Sequence, residues 1–251
     1  MKEYTAENIS DFLDIIAKIK KEWDADDLWF RGVSNVKYKL LPSLYRGNYK
    51  LDLEEEGEVY TQFVRKAKAF IFDYHKLKAI DWYILMQHYS FPTRLLDWTS
   101  GSLIALYFAV KNIQEETDRC IYVIDPFEVN KAFHNIEAVF CSDENFQKPY
   151  EVINSYLPKK QLPKYPIAFE PPYFDKRIVA QKSCFTIHGE IREPFEMLFS
   201  EKKVKLAKIK IADQDVIEIK EELASAGITE SIVFPDIEGL SRELIFHYVI
   251  E

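Results

Sequence analysis

Glycine is scarce in this chain, and its scarcity limits the nucleotide-binding folds that the chain can form. Only 7 of the 251 residues are glycine, whereas an average usage of about 7% would give roughly 18. The sequence contains neither G-x-G-x-x-G nor G-x-x-x-x-G-K-[ST], the loops whose backbone N–H groups surround phosphates. G-x-S-x-G and H-E-x-x-H are absent too. Rossmann dinucleotide binding, P-loop hydrolysis, the α/β-hydrolase fold and zincin chemistry therefore lack their sequence signatures.

The composition is that of a globular protein with an acidic surface. Hydrophobic residues make up 47% of the chain and charged residues 29%, which excludes a disordered or fibrous protein. The formal net charge is −8 at pH 7. Because nucleic-acid binding needs a concentrated basic surface, this charge weakens the case for broad nucleic-acid binding. The length fits a single domain.

Neither a membrane segment nor a disulfide framework is indicated. The longest apolar run, Leu103 to Val110, is too short to span a bilayer as a helix. The charged N-terminal segment lacks the apolar region of a secretory signal. Cys120, Cys141 and Cys184 are widely spaced and form no Cys-x-x-Cys pair, so they predict neither disulfides nor a zinc site. We therefore expect a cytoplasmic protein that does not bind membranes.

Apolar periodicity predicts a mixture of helices and strands. Spacings of three and four residues predict helices, and short apolar or alternating runs predict strands. The predicted helices are one within residues 1–27, then Glu54–Tyr74, Ile80–His88, Ser102–Val110, Asp213–Ala226 and Asp236–Tyr248. The predicted strands are Leu28–Phe30, Cys120–Ile124, Ser183–His188, Val204–Ile211 and Thr229–Phe234.

These elements do not alternate strictly along the chain, so the sequence predicts an α+β fold. We expect a single domain in which a small mixed or antiparallel sheet forms the core and helices surround it. Tyr89–Thr99, which contains Pro92, and the Pro-rich stretch Pro158–Pro172 are predicted to be irregular.

Four blocks of residues together resemble a known family, the FRG domain, which is named for its Phe/Tyr-Arg-Gly motif. The blocks are Trp29-Phe30-Arg31-Gly32, Leu41–Arg46, Phe234–Leu240 and the run Gln87–Thr99, which is Gln-His-Tyr-Ser-Phe-Pro-Thr-Arg-Leu-Leu-Asp-Trp-Thr. The resemblance implies a single FRG domain over residues 1–251, with an N-terminal helix in 1–27 and the motifs in about 29–240. A further block, Arg177–Gln181, also resembles the family. It is followed by Lys182-Ser183, where the resemblance leads us to expect a glycine in the turn.

A second resemblance concerns the order of residues in the ADP-ribosyltransferase fold. An early strand ends in Arg31, a Thr/Ser segment precedes the Ala-x-x-Phe-Ala run that starts at Ala105, and Glu230 starts a Glu-to-Pro stretch. This order is similar to that of DNA-modifying ADP-ribosyltransferase toxins. The resemblance implies a split sheet, NAD as substrate and a role as a toxin or anti-phage defence protein. It also implies a nucleic acid or protein as acceptor, and an antitoxin or regulatory protein as partner.

Under this resemblance a carboxylate stabilises the ribosyl cation that forms when the bond between nicotinamide and ribose breaks. Glu230 is the first candidate and Glu238 is its rival. A solvated charge at a turn is the alternative role of Glu230, and a helix start capped by Asp236 is that of Glu238. His88 is the candidate that binds a ribose hydroxyl or acts as general base, because histidine titrates near neutral pH. A structural histidine at a helix end is the alternative.

Without a Gly-rich loop, guanidinium groups are the expected ligands of the NAD pyrophosphate. Arg31, Arg46 and Arg94 are the candidates. Arg31 ends an apolar strand, and its alternative role is a buried ion pair with Asp97 or Glu230. An internal ion pair with Asp97 is the alternative role of Arg94.

The other candidates are expected to position the ribose and the two rings of NAD. Thr93 supplies a hydroxyl, Trp98 and Tyr107 are candidates for stacking on nicotinamide or adenine, and Asp97 is counted with these NAD-binding residues. Each also has a structural alternative. Aromatic residues make up 15% of the chain and most are expected in the core, and a threonine hydroxyl often bonds the backbone of its own loop.

Two other functions compete with NAD chemistry. In the first, the Arg and Asp motifs form the ion-paired scaffold of a ligand-sensing or protein-interaction module that turns nothing over. In the second, oxygen ligands hold Mg²⁺ in a metal-dependent nuclease. The ligands available for that site are Asp97, Asp125, Glu230, Asp236, Glu238 and His88. No D-x-D or E-x-K spacing joins them, so we expect no metal.

Overall fold

A computed structural model describes residues 1–47, 49, 51–71, 73–113, 117–141, 147–158 and 161–248. Within these residues a single mixed sheet forms the centre of the molecule. Its strands are β1 (Lys2–Thr5), β2 (Trp29–Val33), β3 (Leu95–Thr99), β4 (Arg119–Ile124), β5 (Phe140–Cys141), β6 (Ile167–Glu170), β7 (Ser183–Ile187) and β8 (Leu206–Ile211).

The order across the sheet is β1-β8-β4-β2-β3-β7-β6-β5. The two outer pairs, β1 with β8 and β5 with β6, are parallel. The inner pairs are antiparallel. The predicted α+β class and the single domain with a mixed sheet are confirmed.

Helices cover both faces of the sheet. They are α1 (Ile9–Trp23), α2 (Leu53–Ala67), α3 (Ala79–His88), α4 (Ser102–Val110), α5 (Pro126–His134), α6 (Gln147–Asn154), α7 (Lys176–Ala180), α8 (Phe195–Lys202), α9 (Val216–Ser225), α10 (Glu230–Val233) and α11 (Ile237–Tyr248). Short 3₁₀ turns occur at Ser43–Tyr45, Tyr74–Lys76 and Asp213–Asp215. In the described part of the chain, no helix combines the length and apolar character needed to cross a membrane.

The alternation of side chains along the central strands explains why both faces are covered. On β4, Ile121 and Val123 pack with apolar residues of α1, α4 and α9. Tyr122 and Ile124 point to the opposite face and pack with residues of α5 and α8. Because both faces are apolar, each needs its own helical layer.

Gly32 allows α4 to lie directly against β2. A Cβ atom at Gly32 would lie 1.8 Å from the carbonyl oxygen of Ala105 and 2.7 Å from the backbone nitrogen of Ala109. Both atoms belong to the backbone of α4 and cannot move aside as a flexible side chain can. The glycine of the Phe-Arg-Gly motif is therefore required by packing, and it fixes the neighbouring Arg31 relative to α4.

Three predicted elements were wrong. Thr229–Phe234, predicted as a strand, contains the helix α10, in which the Val233 N–H donates to the Thr229 carbonyl oxygen at 3.1 Å. A short apolar run does not distinguish a strand from a short buried helix. Tyr89–Thr99, predicted as irregular, contains β3, because Pro92 precedes the strand and does not interrupt it. The Pro-rich connection Pro158–Pro172 similarly contains β6.

The turn before β7 is made without the glycine that the family resemblance led us to expect. Lys182 adopts a φ of 45°, in the left-handed region that favours glycine. Its carbonyl oxygen accepts a hydrogen bond of 3.1 Å from the Ser100 N–H. The backbone therefore keeps the left-handed conformation even though a lysine occupies the position.

Candidate functional site

Five of the predicted site residues meet in one cleft of about 500 Å³. They are Arg31, Arg46, His88, Asp97 and Trp98. The cleft also reaches α4 through Phe108 and the segment after α10 through Phe234. These residues come from widely separated parts of the chain, so only the tertiary structure shows that they form one site.

The cleft lies where β2 and β3 diverge. These strands share a single paired position, Phe30 with Thr99. By contrast, β2 pairs with β4 and β3 pairs with β7 over five positions each. Beyond Phe30, the Arg31 guanidinium donates to the carbonyl oxygen of Asp97 at 2.6 Å. A side chain thus satisfies a strand carbonyl at the point where the strands separate.

Asp97 projects into this cleft from an otherwise buried strand. Its side chain is 52% exposed, whereas its neighbours Leu96 and Trp98 are buried. The Oδ2 atom accepts a hydrogen bond of 2.9 Å from Gln87 Nε2 and lies 3.5 Å from Arg31 Nη1. The carboxylate is therefore held in place and still faces solvent.

Thr93 does not line the cleft and contributes to it only indirectly, through Gln87. It is fully buried, and its hydroxyl donates to Gln87 Oε1 at 2.6 Å. This bond leaves the amide nitrogen of Gln87 directed at Asp97. The predicted role of Thr93 as a ribose ligand does not fit this position, because its hydroxyl is used to orient Gln87.

Positive charge dominates the lining of the cleft. Its cationic residues are Arg31, Lys39, Arg46, Lys111 and Arg177, and among the described lining residues Asp97 is the one carboxylate. In a chain with a net charge of −8, such a local concentration of cations attracts anions. Sequence analysis did not assign Lys39, Lys111 or Arg177 to the site. The one signal that could have found Arg177 is the family-like block Arg177–Gln181.

Arg31 is the most confined of these cations. Its side chain is only 16% exposed. Burial lowers the pKa of the Arg31 guanidinium, the nearby Asp97 raises it, and Arg46 lowers it again. The local environment therefore compensates the Arg31 charge incompletely, and a bound anion would complete the compensation.

His88 lies at the C-terminal end of α3, on the wall of the cleft. Its Nδ1 atom lies 3.7 Å from the carboxylate of Asp175, and its side chain is 13% exposed. Burial lowers the pKa of His88, and Asp175 opposes that shift. The imidazole is therefore neutral at pH 7 and able to accept a proton.

Aromatic rings form the apolar part of the cleft wall. Trp98 is nearly fully buried, and its indole N–H donates to Thr186 Oγ1 at 3.1 Å. This fixed position matches the structural alternative for Trp98 more closely than a stacking role. Phe108 and Phe234 contact each other at 5.9 Å between ring centroids and are less buried. Together with Tyr38, which also lines the cleft and is 50% exposed, they are the rings accessible to a ligand.

Arg94 lies outside the cleft and forms no ion pair with Asp97. Its Nε atom lies 3.0 Å from both carboxylate oxygens of Glu56, and its Nη groups donate to the carbonyl oxygens of His188 and Tyr156. Residues three apart in an extended segment point to opposite faces, which separates Arg94 from Asp97. The assignment of Arg94 to NAD binding is therefore corrected.

Glu230 and Tyr107 lie at a second cavity, away from Arg31. The Tyr107 hydroxyl donates to Glu230 Oε2, and Arg242 Nε lies 2.6 Å from Glu230 Oε1. The expected pairing of Arg31 with Glu230 is not formed. Glu238, the rival carboxylate, is 79% exposed and lies 3.6 Å from Arg242. Neither carboxylate lines the cleft of Arg31.

The carboxylates considered as Mg²⁺ ligands do not form a metal-binding cluster among the described residues. Among them, no group of three or more His, Cys, Asp or Glu side chains has the geometry to hold a metal ion. Asp125 accepts hydrogen bonds from the backbone N–H groups of Phe127 and Glu128 and so caps α5. Asp236 pairs with Arg177 at 2.5 Å. These two carboxylates have structural partners.

Comparison with known proteins gives a match to one family model over part of the chain. The FRG domain model matches residues 26–118, a range that includes the Trp29–Gly32 and Gln87–Thr99 blocks. The match confirms the family resemblance over that range. The Phe234–Leu240 block lies outside it, so the extension of the domain over the whole chain stays a prediction. No curated protein and no solved structure matches this chain.

Proposed function

We propose that the cleft between β2 and β3, two strands whose residues lie within the range 26–118 matched by the FRG domain model, binds NAD and cleaves its nicotinamide–ribose bond. One observation carries the proposal: four cationic side chains, a fifth (Arg177) that is paired with Asp236, and several aromatic rings surround a single exposed carboxylate, Asp97. Phosphates need cations, bases need apolar walls, and a ribosyl cation needs a carboxylate. The volume of about 500 Å³ lies within the usual range for ligand sites.

In this proposal, the cations of the cleft bind the pyrophosphate of NAD, and the aromatic rings of the cleft bind a base. Arg31, Arg46 and Lys39 would bind the pyrophosphate, since guanidinium groups engage phosphate oxygens in a planar fork. Phe108 and Phe234 would contact one of the rings. The incompletely compensated charge of Arg31 makes it the residue on which binding depends most.

Asp97 takes the role that the sequence resemblance implied for Glu230. As the bond between ribose C1′ and the nicotinamide nitrogen breaks, its electron pair leaves with nicotinamide, and a positive charge develops on the ribose. Asp97, held by Gln87 at 2.9 Å, would stabilise that charge. Glu230 lines the other cavity, and its carboxylate is engaged by Tyr107 and Arg242.

His88 would serve the second half of the reaction. When an acceptor hydroxyl or water attacks C1′, the new C–O bond forms and the acceptor loses a proton. His88, kept neutral by burial, would take that proton. We further propose that the protein is a toxin or an anti-phage effector that acts in the cytoplasm on a nucleic acid or a protein. An antitoxin or regulatory protein would control it. These proposals rest on the order of residues shared with ADP-ribosyltransferase toxins.

The experiment is to measure nicotinamide release from NAD by chromatography. We expect the parent protein to release nicotinamide and Asp97→Asn to lose at least about 100-fold in rate. Glu230→Gln should keep its activity, and Asp26→Asn, at an exposed carboxylate, is the matched control. Unfolding midpoints confirm that each variant is folded.

Three outcomes would change the proposal. Unaltered release by folded Asp97→Asn would overturn the role of that carboxylate. Loss of release in folded Glu230→Gln would return the catalytic role to Glu230. If NAD raises the melting temperature of the parent protein but no nicotinamide is released, with or without a cell extract as a source of acceptors, the ligand-sensing alternative replaces cleavage.

A further inference from the structure

A second cavity of about 310 Å³ lies between the end of α4, α9 and α11. Its apolar lining consists of Ile113, Ala224, Ile228, Ile245 and Phe246. Polar groups stand beside this surface, among them Lys111, Lys220 and Arg242. A concave apolar surface with a few convergent polar groups is the usual form of a small-molecule site.

The carboxylates of this cavity are already engaged. Glu230 accepts hydrogen bonds from the Tyr107 hydroxyl and from Arg242. Glu243 accepts a hydrogen bond of 2.7 Å from the Ser231 N–H. The cavity therefore offers these carboxylates to a ligand only in competition with their present partners.

Unlike these carboxylates, the two lysines of the cavity, Lys111 and Lys220, have no oppositely charged partner among the described residues. Lys220 lies 4.0 Å from the centroid of the Phe246 ring, and its Nζ is 3.4 Å from the Lys111 carbonyl oxygen. Burial lowers the pKa of the partly buried Lys220, and Glu230 only partly opposes this shift, whereas Lys111 is exposed. An anion beside them would stabilise their charged forms.

The second cavity and the cleft share a wall. Three aromatic rings contact one another there: Tyr107 and Phe108 at 5.8 Å, Tyr107 and Phe234 at 6.5 Å, and Phe108 and Phe234 at 5.9 Å between centroids. Tyr107 lines the second cavity, and the other two rings line the cleft. Lys111 lines both spaces, and its ammonium group lies on the shared wall, 5.4 Å from the Phe108 ring centroid and 5.5 Å from that of Phe234.

We propose that the second cavity binds a small organic monoanion with an apolar body, such as an aromatic carboxylate or sulfonate, and that this ligand competes with the cleft for Lys111. Three cations against two engaged carboxylates leave a net charge of +1 for the ligand to neutralise. The anionic group lies between Lys111 and Lys220, and the apolar body lies against Ile228 and Phe246. The site stands on its own geometry, whereas the competition rests on the proposed function of the cleft.

The site is tested with 8-anilinonaphthalene-1-sulfonate, an aromatic monoanion that fluoresces when it is bound in an apolar environment. We expect one molecule to bind per chain. Ala224→Trp, which fills the cavity, should weaken binding at least about tenfold, and Lys220→Gln about fivefold. Ser225→Trp, at the exposed next position of α9, and Lys18→Gln, a lysine that lies over Tyr4 on α1, are the matched controls and should bind like the parent.

Binding by Lys220→Gln that equals that of the parent would overturn the site, as would full binding by folded Ala224→Trp. Should Ala224→Trp not fold, Lys220→Gln decides alone, since its position is only partly buried. An equal loss in the two control variants would show nonspecific surface binding and would also overturn the proposal.

The competition is tested by repeating the titration with saturating ADP-ribose in the cleft. We expect the affinity for the probe to fall about threefold or more, and by thermodynamic linkage the probe must weaken ADP-ribose by the same factor. Lys111→Gln should abolish this mutual effect. Equal affinity for the probe with and without bound ADP-ribose would overturn the competition. A separate titration of ADP-ribose alone distinguishes the two proposals. If ADP-ribose does not bind, the proposed function of the cleft fails, whatever the result with the probe.

Discussion

Arg31 and Arg94 have the same side chain, and each lies beside a carboxylate, yet their surroundings differ. The Arg94 side chain is 1% exposed, and every nitrogen of its guanidinium group has an acceptor: Glu56, His188 or Tyr156. The Arg31 side chain is 16% exposed and lies at the junction of β2 and β3. It contacts Asp97, whose carboxylate is 52% exposed.

This difference separates a structural role from a functional one. A buried ion pair joins α2 to the start of β3, and its burial keeps the Arg94 guanidinium out of reach of a ligand. A half-satisfied arginine beside an exposed carboxylate contributes less to stability and leaves its charge available. We therefore expect substitutions around Arg94 to affect mainly folding, and substitutions around Arg31 to affect mainly ligand binding.

The largest effect is expected for Arg94→Met. It leaves the Glu56 carboxylate buried without its cation, which should cost about 3–5 kcal/mol of unfolding free energy. The measurement is urea denaturation followed by circular dichroism. The double variant with Glu56→Leu removes both charges and should lose less stability than Arg94→Met alone. A single variant as stable as the parent would show that the buried pair is not structural.

Gly32→Ala should have the next largest effect. The added Cβ would lie 1.8 Å from the Ala105 carbonyl oxygen, so β2 and α4 must move apart, at a cost of about 1–3 kcal/mol or more. Because Arg31 is adjacent, ligand binding should fall as well. Gly57→Ala is the matched control, since its nearest contact is 3.7 Å away. Equal stability of both variants would contradict the close packing at Gly32.

The local parts of this fold could be predicted from the sequence. The helix Ser102–Val110 was predicted with the bounds that it has, because a continuous apolar run follows the N-cap position Gly101. The pairing of Arg94 with Glu56 could not be predicted. The two residues are 38 positions apart, and their contact depends on where α2 packs, which no local pattern specifies. The simpler pair, Arg94 with Asp97, was therefore preferred and was wrong.

The buried His188, whose backbone carbonyl accepts a hydrogen bond from Arg94, makes the stability of the fold depend on pH. Burial and, secondarily, Arg94 lower the pKa of His188 from 6.5 to about 3. The unfolded chain therefore binds a proton there below about pH 6.5, whereas the folded chain stays neutral until about pH 3. The stability from neutral His188 is complete above pH 6.5 and declines below it, by up to about 1.4 kcal/mol per pH unit.

The test is urea denaturation of the parent and of His188→Leu between pH 7 and pH 4. The variant should lose stability less steeply as the pH falls. Other groups with shifted pKa values, such as His88 and His134, are present in both proteins, so the difference isolates His188. Parallel pH profiles would contradict the buried, neutral state of this histidine.

The candidate site could be predicted only in part. Arg31, Asp97 and His88 occur in short motifs, and the structure brings them together. Glu230 was assigned to the same site because its segment resembles the Glu-to-Pro stretch of ADP-ribosyltransferase toxins, whereas the structure places it at the start of α10, at the other cavity. Lys111 follows α4 without any motif, so its position in the cleft became visible only when α4 was seen packed against β2.

Arg31→Met is expected to change stability least, by no more than about 1 kcal/mol, because it removes an incompletely compensated charge from a confined position. The exposed Asp97 that it leaves behind is hydrated. Thermal unfolding checks this expectation, and a loss comparable to that of Arg94→Met would remove the contrast between the two arginines.

The central claim, that the Arg31 cleft is the functional site, is tested most directly by isothermal titration of ADP-ribose into the parent protein and Arg31→Met. We predict that the parent binds one ADP-ribose per chain and that folded Arg31→Met binds at least about tenfold more weakly. No binding by the parent, or equal binding by folded Arg31→Met, would contradict the claim.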